Sequence, residues 1–123
     1  MHTSLYIWKP HPGKLNEMRE MVIALRDHGR RIGGASEVNC AALTGSFMGH
    51  FAVTMRCEDA VQTEKALAGY RQDEAFMKTM ADAYQAGEIV NHFTFYEDYE
   101  KVKLELKNIK SKIPVNEFVI NEN

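Results

Sequence analysis

Two helical stripes, each set between strand-like segments, constrain this chain more than any other feature. The first begins near Lys14, where Leu15, Met18, Met21, Val22, Leu25 and Ile32 recur at the three- and four-residue steps of one buried helix face. Pro10-His11-Pro12-Gly13 precedes it as a turn. Gly33-Gly34 stops it, because glycine takes the left-handed cap conformation at little cost. The second stripe opens at Asp59, with Gln62 three positions on to form a capping box, and carries Val61, Leu67, Phe76, Met77, Met80 and Tyr84. Gly69 is placed to divide it near Tyr70-Arg71-Gln72-Asp73. Around the stripes lie four strand-like runs, residues 4–9, 37–44, 47–56 and 88–97, the first of them built of β-branched and aromatic residues. Thr44-Gly45-Ser46 reads as a hairpin turn between the middle two.

Strand–helix–strand–strand–helix–strand is the split βαβ plan, an α+β ferredoxin-like βαββαβ fold. Right-handed crossovers then set both helices on one face of a four-stranded antiparallel sheet and leave the other face bare. After Tyr99 the composition changes. Val102, Leu106, Ile109 and Ile113 fall at helical spacing and predict a third helix ending before Pro114, although Val102, Leu104 and Leu106 would equally suit an edge strand. Val115, Phe118, Val119 and Ile120 form a short apolar group suited to a docking arm. The expected organisation is one domain over 1–99 and a C-terminal helical extension with its arm over 100–123.

The totals agree with a single domain. At 123 residues the chain has no length for a second, and it can build a core without staples. A net charge of −2 argues against a nucleic-acid surface, which would carry a basic excess. No apolar run approaches the ~20 residues of a membrane span, and MHTSLYIWKP lacks a signal-peptide layout, so the expected location is the cytoplasm. In the predicted hairpin Cys40 lies opposite about residue 50, which leaves Cys57 some seven positions on, roughly 20 Å away. Both cysteines are therefore expected to be free thiols.

Alternation sorts the strand residues into two sets. One set is apolar, with Asn91 the exception: Leu5, Ile7, Phe51, Val53, Met55, Ile89, Phe93 and Phe95. The other is half polar and aromatic: Tyr6, Trp8, Met48, His50, Ala52, Thr54, His92, Thr94 and Tyr96. Neither reads as a face made for water. A lone copy would expose an unusually large apolar patch, and two-fold packing of two sheets into a homodimer removes it.

From Leu5 to Tyr96 the chain resembles the dimeric α/β barrel superfamily, which includes antibiotic-biosynthesis monooxygenases, muconolactone isomerase-like proteins and many uncharacterised members. The resemblance is carried by Trp8 through Gly13-Lys14, by Ala66-Leu67-Ala68-Gly69-Tyr70-Arg71-Gln72-Asp73-Glu74-Ala75-Phe76, and by Ala86-Gly87-Glu88-Ile89-Val90 leading into an aromatic strand. These are layout motifs, none of them catalytic, and the tail from Lys101 departs from the short members. The resemblance implies a homodimer whose sheets form a barrel, with a ligand cavity between each sheet and its own helices. Haem-degrading members of the superfamily take their iron-binding histidine from the second helix. Residues 59–86 contain no histidine, which argues against that activity.

Candidate chemistry centres on His50 and His92, which could serve as acid–base groups because imidazole titrates near neutral pH. In a ferredoxin-like sheet the first strand runs between the third and fourth, so Tyr6 or Trp8 is expected between these two histidines. Tyr6, Trp8 and Tyr96 are the candidate ligand-binding residues, able to stack on an aromatic ring or donate to an oxyanion. Each of these side chains would serve equally well as packing, with its polar atom satisfied by a neighbour. A cross-strand Cys40–His50 pair would need a matching register. No HxH or HExxH spacing, phosphate loop, GxGxxG or GxSxG occurs, so neither metal nor cofactor is expected. Three readings remain open at this point. One is a cofactor-free oxygenase or isomerase acting on a small hydrophobic or aromatic molecule. The second is a non-catalytic dimer that binds a small apolar ligand or a partner, and the third is a purely structural dimer.

Overall fold

The computed structural model describes residues 1–97. The C-terminal helix expected over 102–113, the arm over 114–123 and the domain boundary near 99 lie outside them. In chain order the elements are β1 (His2–Pro10), α1 (Leu15–Ile32), β2 (Glu37–Ala42), β3 (Phe51–Cys57), α2 (Ala60–Arg71), α3 (Glu74–Ala86) and β4 (Gly87–Tyr96). The strands form one sheet in the order β2-β3-β1-β4, every pair antiparallel. This is the expected ferredoxin-like α+β arrangement.

The second helical stripe is divided into α2 and α3, so three helices cover the sheet. The break falls at Gln72-Asp73. Asp73 caps α3 by accepting from the Phe76 N–H at 2.9 Å, and Arg31 of α1 grips the same carboxylate through both Nη atoms at 2.8 and 3.1 Å. That pair holds the Asp73 carboxyl down at about 2, the Arg31 bonds being the largest cause and the Phe76 N–H the next. At the start of α2, Asp59 accepts from the Gln62 N–H at 2.8 Å. Gln62 returns its carbonyl to the Glu58 N–H at 2.6 Å, one residue earlier than a standard capping box, and its amide nitrogen reaches the Gly34 carbonyl at 2.7 Å. The end of α1 is thereby tied to the beginning of α2.

All three helices lie on one face. Met18, Val22 and Leu25 of α1 pack with Ala83 and Ala86 of α3 against Trp8 and Phe51, and Trp8 is 1% exposed. Ala66 and Tyr70 of α2 pack against Met55 and Cys57 in a second cluster. Gly87 lies where β4 leaves α3, and a Cβ there would stand 2.4 Å from the Lys9 carbonyl oxygen and 2.6 Å from Met18 Sδ. Only glycine lets β4 start that close to β1.

The pairing corrects the sorting of faces. Trp8 lies opposite Phe51, Tyr6 opposite Val53 and Ser4 opposite Met55, so the alternate residues of β3 share the helix-covered face with Tyr6 and Trp8, not with Leu5 and Ile7. On the other side of β1, Tyr6 pairs with His92 and Ser4 with Thr94 as sorted, whereas a register shift between Ile7 and Trp8 brings Ile89 opposite Trp8. The bulge changes the parity of β4 at its start. The face turned away from the helices, the open face, carries Thr3, Leu5, Ile7, Ala52, Thr54, Phe93 and Phe95; Thr3, Ile7 and Ala52 are buried, whereas Phe93 and Phe95 on the edge strand are exposed.

The cysteines are free. Cys40 pairs with Val53, three residues from its expected partner, which places it apart from His50 and four positions short of Cys57. The connection between β2 and β3 is longer than a tight hairpin and holds a single 3₁₀ turn over Gly45–Phe47. No helix of the described residues is long and apolar enough to cross a membrane.

Candidate functional site

Splitting the second helix swings α3 across the sheet and leaves a space beneath it. Between the covered face and the helices lies a cavity of about 200 Å³. Tyr6 and Trp8 of β1 form part of its wall, with Val53 and Met55 of β3 beside them. Phe76, Met77 and Met80 of α3 face them across the space. Aromatic rings and thioethers adapt to flat, polarisable molecules, and a cavity of this size accommodates a one-ring guest, since one of ~150 Å³ suffices for benzene.

The polar atoms around this space are few. Tyr70, at the last turn of α2, stacks its ring on Phe76 at 4.9 Å and is 6% exposed. Its hydroxyl is buried and has no hydrogen-bond partner. Burial is the main reason its phenol is pushed up to about 12, with the neighbouring Cys57 and Tyr6 adding to the shift. Tyr6 is raised as well, chiefly by burial, with Glu64 adding to the shift and Arg71 opposing it. At neutral pH both phenols are protonated donors. Arg71 also lines the cavity. Glu64, Leu67 and Arg71 recur at three- and four-residue steps, so one stripe of α2 presents a carboxylate, an apolar side chain and a guanidinium.

The candidate residues named from sequence are distributed unevenly about this cavity. Tyr6 and Trp8 are in its wall. His92 stacks flat on Tyr6, centroids 4.1 Å apart at 9°, with its own ring exposed. Tyr96 is not part of the lining; it meets His2 edge-on at 5.0 Å, and the His2 ring is bonded to the Thr63 hydroxyl at 2.7 Å. His50 precedes β3 in the long connection, where its ring contacts Phe47 at 5.6 Å and its Nδ1 is 3.4 Å from the Met48 carbonyl. Tyr6 therefore lies between Val53 and His92, and the expected bracket of two histidines does not form. The reason is the turn: the chain enters β3 at Phe51, one residue after His50.

Tyr70 and Arg71 received no functional role from the sequence, although both fall in the run that carried the family resemblance. Their position just before the break in the second stripe was the available signal, because a helix end there turns side chains toward the space that the break opens. Among the described residues no three His, Cys, Asp or Glu side chains group to hold a metal ion.

No family model and no curated protein matches the chain by sequence. Solved structures do match by shape. A protein of Agrobacterium tumefaciens superposes with a TM-score of 0.66 at 7% identity, over 80% of this chain and 95% of its own. A Deinococcus radiodurans protein described as a candidate antibiotic biosynthesis monooxygenase gives 0.61 at 11% identity, over 80% and 93%. A variant of SnoaB, a cofactor-independent oxygenase from Streptomyces nogalater, gives 0.59 at 14% identity, over 77% and 90%. At such identities the likeness establishes the fold, that of antibiotic biosynthesis monooxygenase-like proteins, and no more.

Proposed function

We propose that this chain is a homodimeric small-molecule enzyme, a cofactor-free oxygenase or isomerase acting on a small hydrophobic or aromatic molecule held beneath its helices. The observation that carries the reading is the cavity of about 200 Å³, walled by Trp8, Phe76 and methionines, with the Tyr6 phenol facing it. One of the similar folds is described as a cofactor-independent oxygenase, which lends the chemistry a precedent on this scaffold. In this reading Trp8 and Phe76 hold the ring, Tyr6 donates to a developing oxyanion, and His92, stacked on Tyr6, takes the proton. Water excluded by the apolar walls strengthens the hydrogen bond from Tyr6. His50 has no part in it.

The dimer half of the proposal rests on the open face, where Phe93 and Phe95 stand 48% and 44% exposed. Packing that face against a second copy would cover both rings in each chain.

The test is oxygen uptake, or isomer formation, with a panel of phenols and quinols, alongside melting curves in their presence. Turnover of at least one compound, reduced in His92→Ala by about 10²-fold or more, is expected. No turnover together with unchanged melting temperatures would overturn the enzyme reading.

A further inference from the structure

The polar complement of the cavity is one-sided. The groups that reach it are donors: the Tyr6 and Tyr70 phenols, both held protonated, and the Arg71 guanidinium. Thr54 is also in the lining, but its hydroxyl is already directed to the Asn39 carbonyl at 3.5 Å. No carboxylate is among the lining residues. None of the three donors has a hydrogen-bond partner of its own among the described residues, and Tyr70 and Arg71 show it most plainly. The Tyr70 hydroxyl is buried and unbonded, and it lies close to Gly29, 3.6 Å from where a Cβ on that residue would stand. Arg71 is the one arginine among the described residues with no hydrogen bond or ion pair. Arg26 pairs with Asp27, Arg31 with Asp73, and Arg56 with Glu37 and Glu97. Arg30 bonds Val38 and Asn39, and Arg19 bonds Asn16. The buried Tyr70 hydroxyl without an acceptor is costly unless something supplies one, whereas Arg71 is exposed at the rim of the cavity, solvated and free to turn to a ligand.

We propose that the cavity selects an organic monoanion: a small aromatic molecule whose phenolate or enolate oxygen is received by Arg71 together with the Tyr70 and Tyr6 hydroxyls. The proposal rests on the reading of the cavity as a small-molecule site and adds to it the charge of the ligand and the residues that read that charge. Arg71 supplies the full positive charge, and the two phenols supply hydrogen bonds in an apolar setting where such bonds are strong. The ring lies against Phe76 and Trp8. Glu64, about two turns away on the same stripe of α2 and close enough to raise the Tyr6 phenol, works against an anion, so the oxygen sits toward the Arg71 end of α2. The remaining titratable neighbours are Cys57 at the foot of Tyr70 and His92 on the outer side of Tyr6.

The probe is 4-nitrophenol, which is yellow only when ionised and which ionises near neutral pH. Its absorbance is followed as the full chain is added at mildly acidic pH, and calorimetry with toluene provides a neutral control of similar size. The proposal expects a saturable gain of yellow colour. Arg71→Gln should weaken phenolate binding about tenfold, the scale of one charge-assisted hydrogen bond, and leave toluene binding within about twofold. Arg71→Lys should retain most of the gain. Glu64→Gln should tighten phenolate binding about twofold or more, an improvement that a folding defect cannot produce.

Loss of colour on binding, or an equal gain in wild type and Arg71→Gln, would overturn anion selection while leaving the small-molecule site standing. Toluene binding without 4-nitrophenol binding would do the same. Binding of neither probe would overturn both.

Discussion

The two faces of one four-stranded sheet have been given different work, and the side chains show it. On the covered face, Trp8, Phe51, Met55 and Cys57 are buried by three helices, with a cavity left among them. Its polar atoms include two without partners, Ser4 Oγ and the Tyr70 hydroxyl. On the open face Phe93 and Phe95 are exposed, and Arg56, Glu37 and Glu97 form one paired cluster. Arg56 there bonds Glu37 at 2.7 Å and Glu97 at 2.8 and 2.9 Å, and the Thr3 hydroxyl donates to the same Glu97 carboxylate. This clip joins β2, β3 and the end of β4. The open face pairs its central charges, whereas the covered face holds two buried polar atoms without partners. Polar groups left wanting inside a core suit ligand binding, and apolar groups left showing on a sheet suit a partner.

Substitutions on the two faces should therefore separate stability from association. The largest effect is expected from Trp8→Ala, which empties the centre of the covered face and should cost about 3–5 kcal/mol in chemical denaturation. A cost below about 1 kcal/mol would mean that the core is not organised around that ring. Phe93→Ser combined with Phe95→Ser should barely alter unfolding of a single chain. It should weaken dimerisation by about a hundredfold, close to 3 kcal/mol, as measured by sedimentation at several concentrations. Association unaffected by the double substitution would remove the open face as the interface.

A smaller change tests the junction between β1 and β4. Gly87 has extended backbone that any residue can adopt, so Gly87→Ala isolates the contact with Lys9 and Met18 from any conformational strain. A loss of about 1–3 kcal/mol in denaturant unfolding is expected. A neutral alanine would mean that the strand start has room to move.

The smallest effect concerns Asp73, a half-buried carboxylate that caps α3. Its folded value of about 2 lies below the usual 3.8. The unfolded chain therefore takes up a proton first as pH falls, and the stability Asp73 confers is present above about 4 and lost progressively toward about 2. Melting temperature against pH should fall less steeply across that window in Asp73→Asn than in wild type. Identical slopes would show that the Arg31 pair contributes nothing.

The order of elements was legible because each depends on local chemistry: Pro10 to Gly13 before α1, Gly33-Gly34 after it, and Asp59 at the head of α2. The face assignment of β3 was not. Parity within a strand can be read from alternation, but the match between strands depends on register, and register was set by the long connection after Ala42 and by the bulge beside Val90. The same displacement moved His50 out of the sheet. The candidate site was legible only through Tyr6 and Trp8, whose aromatic character draws notice wherever they sit. Tyr70 and Arg71 depend on where α2 ends and on what else could have satisfied them, and neither is visible in a stretch of sequence.

Calorimetric titration with phenol tests most directly whether the covered face holds a ligand site, when wild type is compared with Met80→Trp, which fills the space beneath α3. The account predicts saturable binding of one phenol per chain in wild type and its abolition in the filled variant, with the fold of that variant verified by circular dichroism. Equal heats from the two proteins, or no saturable heat from wild type, would contradict it.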